Sequence, residues 1–432
     1  MKAMSKKKAL IITYYWPPAG GPGVQRWLKF VKYLPDFGIE PIIYCPVNPN
    51  YPIMDESLVN EVPEHITILK RPINEPYGLA SLFSKGKSKT ISSGVIPKAK
   101  KQSLIEKTML YVRGNYFIPD ARKNWITPSV KFLSDYIQMH EIGTVITTGP
   151  PHSIHLIGLK LKAQLNVKWF ADFRDPWTTI GYHKELKLTD SSKAKHKDLE
   201  HQVLNTADDI IVTSNHTKNE FLTKTKQPIS VITNGYDSHS IRVDGKDELF
   251  TLSHIGSLLS ERNPLVLWEV LSELIKNNDE FSKVFKLQLI GVVSDDVVDS
   301  IYRSGLKQYV DVVGYVNHDE AIKFQLKSQL LLLIEIDSED TKAIIPGKVF
   351  EYLISETPIV AIGPKNADVE EIIKSTNTGT YFNYNQKNEL KSQILSYFEA
   401  FQNNELKVNA IGLQPYSRKA LTQKLSEVLK KK

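Results

Sequence analysis

Apolar runs of strand length alternate with helix-period segments along almost the whole of this chain, and few architectures accept that pattern. Ala9–Tyr14, Pro41–Tyr44, Ile66–Lys70, Thr144–Thr148, Lys168–Phe173, Asp209–Thr213 and Ile229–Thr233 form a first series. Thr251–Ile255, Lys286–Ile290, Val310–Tyr315, Leu330–Ile334, Pro358–Ile362 and Thr380–Phe382 form a second. A run such as Leu330–Ile334 is apolar at every position, as a strand covered on both faces must be. Between the runs lie helical segments, among them Val24–Leu34, Ser153–Gln164 and the polar Ser192–Asn205. The alternation specifies an α/β protein with parallel sheets under helices.

At 432 residues the chain exceeds one ordinary core, and two domains of roughly 200 residues are expected. The polar stretch Tyr236–Glu248 separates the two series and reads as a hinge. The expected division is 1–240 for the first domain, 241–410 for the second and 411–432 for a C-terminal helix that packs back on the first. Apolar residues make up 41% and charged residues 24%, the proportions of a globular protein. A net charge of +7 attracts nucleic acid, anionic lipid or a phosphorylated substrate without choosing among them. The single cysteine, Cys45, leaves no internal disulfide and no cysteine-based metal site. No run approaches the 18 or so apolar residues of a membrane span. The basic start, Lys6-Lys7-Lys8, leads into a short apolar run, then Tyr14, Tyr15, Trp16 and Pro17-Pro18, which fits a first strand better than a signal peptide. The expected location is cytoplasmic, with peripheral contact at the inner face of the membrane.

Ser84–Lys107 is the odd segment, with seven lysines and one glutamate among Ser, Gly and Pro. It reads as a long solvated loop, or as a basic patch at Lys85–Lys107 for a phospholipid surface or a lipid-linked acceptor. Without interleaved aromatics or a nucleic-acid motif, it does not suggest nucleic-acid binding.

The segment Ile345-Pro346-Gly347-Lys348-Val349-Phe350-Glu351-Tyr352-Leu353 carries the sharpest chemistry. It lies between two buried strands, with Pro and Gly where a helix starts. A helix start offers free N–H groups and partial positive charge, which suit a phosphate. Lys348 and Glu351 are three apart and share one side of the first turn. The cation suits a diphosphate and the carboxylate suits ribose hydroxyls, so the pair suggests a nucleotide-linked substrate.

Five further motifs accompany it. A Gly-rich turn, Tyr14-Tyr15-Trp16-Pro17-Pro18-Ala19-Gly20-Gly21-Pro22-Gly23-Val24-Gln25-Arg26, follows the first strand. It lacks the spacing of a dinucleotide fingerprint, and the second strand ends in Tyr44-Cys45-Pro46 without the acid such a site needs. Thr147-Thr148-Gly149-Pro150-Pro151-His152-Ser153 stands at a strand's C-terminal end, where open parallel sheets bind ligands. Trp169-Phe170-Ala171-Asp172-Phe173-Arg174-Asp175-Pro176-Trp177 ends an apolar strand in charged residues. Asp172 or Asp175 there either orients an acceptor hydroxyl or belongs to an Asp–Arg network that holds the loop. Val231-Ile232-Thr233-Asn234-Gly235-Tyr236-Asp237 suits a tight turn with positive φ. His254-Ile255-Gly256-Ser257-Leu258 precedes Glu261-Arg262-Asn263-Pro264.

Together, and in this order, these motifs resemble those of retaining glycosyltransferases of the GT-B fold in the family 4 grouping, of the kind that builds bacterial surface polysaccharides. The resemblance implies two Rossmann-like domains, an acceptor-side one and a donor one, whose parallel sheets face a central cleft. It implies transfer of a hexose from a nucleotide-diphosphate sugar to a hydroxyl of a glycan or lipid-linked acceptor. Carried over residue by residue, it puts His152 on the donor sugar, with His155 as a fallback, while Asp172 and Asp175 keep the acceptor-side reading their chemistry suggests. Gly21, Gly23, Gly256, Arg262 and Lys348 go to the donor phosphates, and Glu351 to the ribose. Family members commonly carry a second glutamate eight positions before Glu351, where this chain has Ala343; Glu335, Glu339 and Asp340 are near but out of register. No Asp-x-Asp motif stands in a suitable place, and Asp337-Ser338-Glu339-Asp340 is a loose acidic loop, so neither metal nor cofactor is expected. Two other readings stay open: a nucleotide-sugar epimerase of the same fold, and a non-catalytic carbohydrate-binding protein that kept it.

Overall fold

The computed structural model describes residues 6–75, 104–184, 186–238 and 241–431. The Lys-rich stretch through Ser103 lies outside them, and with it most of the expected lipid-contact segment. A helix spans Leu104–Tyr116, so the loop expected to run to Lys107 ends sooner.

The chain divides into two compact units, Met1–Asn234 with Arg418–Lys432, and Gly235–Ser417. The first is built on strands β1 (Lys7–Thr13), β2 (Ile39–Pro46), β3 (Thr67–Arg71), β4 (Thr144–Gly149), β5 (Lys168–Phe173), β6 (Asp209–Val212) and β7 (Ile229–Val231). They form one sheet in the order β3-β2-β1-β4-β5-β6-β7, parallel at every pairing. Side chains alternate across it as a strand's period of two requires. On β1, Leu10 and Ile12 join Trp125, Leu133, Ile157 and Trp169 on one face. Ala9 and Ile11 join Trp27, Leu28 and Val31 on the other.

The helix Arg418–Lys430 completes that second layer. Its Leu421, Leu425, Val428 and Leu429 are buried in the cluster that holds Trp27 and Val31, and Arg418 donates through Nη1 to the Gln25 carbonyl at 3.1 Å. Burying each leucine is worth about 1.5–3 kcal/mol. Residues before it stay with the second unit, where Tyr236 N–H donates to the Tyr416 carbonyl at 3.1 Å. The stretch expected to be a hinge is likewise tied there, with Asp247 N–H on the Lys327 carbonyl at 2.7 Å. Gly235 is not among the glycines of positive φ, so the expected left-handed turn is absent at that position.

The second unit carries β8 (Phe250–Ile255), β9 (Phe285–Ile290), β10 (Val310–Gly314), β11 (Leu330–Ile334), β12 (Ile359–Ile362) and β13 (Gly379–Phe382). Their order is β10-β9-β8-β11-β12-β13, again parallel throughout. On β11, Leu330, Leu332 and Ile334 enter one core layer, and Leu331 and Leu333 the opposite one.

In both sheets the chain first winds outward on one side and then restarts beside the first strand. The reversal falls between β1 and β4 in the first sheet and between β8 and β11 in the second. Loops leaving the carboxyl ends of those neighbours diverge, and the crevice between them is where such sheets take ligands. No described helix is long and apolar enough to cross a membrane.

Candidate functional site

At the second unit's switch point three charged side chains meet. Gly256 follows β8 with φ +111°, a conformation that favours glycine. A Cβ there would come 3.7 Å from Lys348 Nζ. Lys348 starts the helix Lys348–Leu353. Its ammonium donates to His254 Nε2 at 2.9 Å and to the Ile255 carbonyl at 3.2 Å. Because an ammonium cannot accept, Nε2 of His254 must, and the ring proton is then on Nδ1. That Nδ1 is buried without a partner. Burial first, then the Lys348 and Arg262 charges, keep His254 neutral, well below the usual histidine range.

Arg262 ends the turn Ser260–Arg262 and places Nη2 4.0 Å from Glu335 Oε2. Glu335, the first residue after β11, is 2% exposed. Neither of its carboxylate oxygens has a hydrogen-bond partner, nor does Arg262 Nε. Burial pushes the Glu335 carboxyl up, against the pull of Arg262 and Lys348. Burial also brings Lys348 down to about 8, with Glu335 opposing that shift and Arg262 adding to it. Two cations against one acid leave the cluster positive, suited to an anion.

Glu351 does not pair with Lys348. Its carboxylate accepts from Gln325 Nε2 at 3.3 Å and lies 3.8 Å from His318 Nε2. Lys348 thus turns to the end of β8 and Glu351 to the helix His318–Lys327. The helix between them has only six residues, so Lys348 rather than a helix dipole supplies the charge. Tyr352 fixes it in place, its Oη accepting from Ile255 N–H at 3.1 Å.

The first unit's switch point is wired differently. Asp172 is fully buried. It accepts from Arg26 Nη2 at 2.9 Å, Trp27 Nε1 at 2.8 Å and Thr148 Oγ1 at 2.8 Å. Those donors tie β5, β4 and the first helix together, so Asp172 is a brace and not a carboxylate open to an acceptor hydroxyl. Arg174 braces the loops above it, donating from Nε to the Gly149 carbonyl at 3.2 Å and from Nη2 to the Pro150 carbonyl. Gly23 is a glycine for this reason, since a Cβ there would stand 1.4 Å from Arg174 Nη1. Gly21 caps the first helix with φ +101°.

Asp175 keeps the features of a proton acceptor. It is half-buried, no described side chain hydrogen-bonds it, and burial raises its carboxyl against the charge of Arg174. His152 is buried and stacks on Trp177 at 4.8 Å with rings 2° from parallel. Both its ring nitrogens lack partners, and burial, then His155, hold it neutral. His155 is committed, with Nδ1 2.9 Å from Thr147 Oγ1 and its ring stacked on Phe173 at 4.3 Å.

Among the described residues no group of three or more His, Cys, Asp or Glu could hold a metal ion. In the acidic loop, Glu339 is taken by Lys342 at 2.7 Å.

No protein-family model matches this sequence, and no curated protein matches it either. Solved structures do. TarM aligns over 100% of both chains with a TM-score of 0.62 and 13% identity. A mutant of S. aureus TarM is also known in complex with fondaparinux, alpha-GlcNAc-glycerol and UDP. The lipopolysaccharide outer core galactosyltransferase WaaB aligns over 98% of this chain and 99% of its own, with a TM-score of 0.57 and 12% identity. A Listeria monocytogenes protein described as a UDP-N-acetylglucosamine 2-epimerase aligns over 98% of this chain and 96% of its own, with a TM-score of 0.53 and 12% identity. The fold is GT-B.

Of the residues singled out from sequence, Gly256, Arg262 and Lys348 come together at one switch point, with Glu351 on the same short helix as Lys348. Gly21, Gly23, His152, Asp172 and Asp175 gather at the other unit's switch point. Glu335, His254 and Arg174 were passed over. A signal exists for Glu335: an acid directly after five apolar strand residues.

Proposed function

We propose that this protein transfers a hexose from a nucleotide-diphosphate sugar to a hydroxyl acceptor, with retention at the anomeric carbon, in the assembly of a cell-surface polysaccharide or glycolipid. The observation that carries this reading is the positive, under-paired cluster of Arg262, Lys348 and Glu335 at the switch point of a GT-B domain. Arg262 and Lys348 bind the diphosphate and stabilise the charge it gains as its bond to the sugar breaks. In this reading they do so without a metal. Glu351 accepts from the ribose. A bond forms from the anomeric carbon to the acceptor oxygen, and Asp175 takes the acceptor's proton. His152 contacts the donor sugar through a ring nitrogen, and Asp172 positions the loop that presents Asp175.

UDP is the first nucleotide to try, because a TarM complex contains it. Ligand-observed binding over UDP, GDP and ADP sugars tests the reading directly. At least one is expected to bind and to hydrolyse slowly; binding of none would overturn it. Likeness to a protein described as an epimerase favours a second reading. Incubation with the bound donor and no acceptor separates them, since an epimerase converts the free nucleotide sugar and a transferase does not.

A further inference from the structure

Glu335 is fixed at its backbone and unengaged at its carboxylate. Its N–H donates to the Ile362 carbonyl at 2.8 Å, and its own carbonyl accepts from Tyr384 Oη at 2.7 Å. Gly363 leaves the space for it, because a Cβ at 363 would meet Glu335 Cβ at 3.1 Å and Tyr381 Oη at 2.3 Å. The carboxylate held there has two buried oxygens without a partner. Its nearest cation, Arg262, is 4.0 Å off, beyond hydrogen-bond reach. Leaving a buried acid unpaired costs stability. An acid whose task was structural would look like Asp172, with its three donors.

The chemistry around the carboxylate selects its partner. Arg262 and Lys348 offer only donors, so they take phosphate oxygens. A carboxylate beside them offers only acceptors and repels phosphate, so its partner must carry O–H or N–H groups. One ligand with anionic oxygens and hydroxyl donors a few ångströms apart satisfies both. We propose that Glu335 accepts hydrogen bonds from hydroxyls of the sugar attached to the diphosphate, and so determines which donor sugar is accepted. This rests on the transferase reading. It also supplies an acceptor where Ala343 provides none, from the end of a strand instead of from the helix that bears Glu351.

The test compares UDP with UDP-glucose, UDP-galactose and UDP-N-acetylglucosamine by calorimetry, on the full chain and on Glu335→Gln. The variant should bind the preferred UDP-sugar about 10-fold or more weakly, while UDP itself binds equally or more tightly. Equal loss for UDP and UDP-sugar would overturn the proposal, because Glu335 would then act only on Arg262 and Lys348. No loss for either would overturn it as well. Should Glu335→Gln not fold, deoxy-sugar analogues decide on the unaltered protein. Loss of one hydroxyl should cost about 10-fold, and tolerance of every single deoxy position would sink the idea. If the unaltered protein binds neither UDP nor any UDP-, GDP- or ADP-sugar, the transferase reading itself falls, and this inference with it.

Discussion

The two switch points share a sheet topology and differ in how their buried acids are satisfied. At the first, Asp172 is paired on both oxygens with Arg26, Trp27 and Thr148, and Arg174 is spent on two carbonyls, while Arg26 Nε and both ring nitrogens of His152 are buried without partners. At the second, Glu335, Arg262 Nε and His254 Nδ1 are buried without partners. A buried acid with every oxygen paired holds its surroundings together, and one without partners costs stability. The comparison therefore separates a bracing acid, Asp172, from an unengaged one, Glu335.

Removing Asp172 should have the largest effect. Asp172→Ala leaves Arg26 buried without its counter-charge, and such losses run to about 3–5 kcal/mol. Urea unfolding should show it as a lower midpoint. Unchanged unfolding together with lost turnover would break the contrast, because Asp172 would then be chemical and not structural. At the other cluster the expected pattern is reversed. Lys348→Ala should weaken UDP binding about 10–100-fold while urea unfolding moves little. Glu351→Ala comes next, with about a 10-fold loss for UDP and none for pyrophosphate, which has no ribose. Equal losses for both ligands would move Glu351 from the ribose to the phosphates.

Most of the fold was legible because parallel strands covered on both faces are continuous apolar runs. Leu330–Ile334 and Ile359–Ile362 are buried at every position and could hardly be mistaken. The apolar spacing of Arg418–Lys430 marks a helix that packs on something, and its Leu421, Leu425 and Leu429 are buried in the first unit. The site was legible only where one element contains its parts. Lys348 and Glu351 share a helix, as their spacing implies, but their side chains turn to different elements. Glu335 is out of register with the family's eight-residue glutamate spacing, so spacing alone assigns it no role. It reaches the site from a strand end, and strand order, which no local spacing encodes, brings it to Arg262. Asp172 shows the opposite limit. An acid at a strand's end looks the same in sequence whether it meets three donors or none.

The smallest expected effect separates the two clusters by sign. Burial brings Lys348 to about 8, below its unfolded value, so between pH 8 and about 10.5 the unfolded chain binds more protons than the folded one. Stability from this group must then rise with pH across that window. UDP affinity should move the other way, because deprotonated Lys348 no longer attracts the diphosphate. From pH 7 to 9 the loss should be about 10-fold, given one group titrating near 8. Lys348→Arg should flatten the profile, since a guanidinium keeps its charge throughout. Affinity that falls while the fold tightens is expected only of a charge whose burial serves a ligand. If instead stability and affinity fell together above pH 8, Lys348 would be part of the scaffold, and its contrast with the bracing Asp172 would fail.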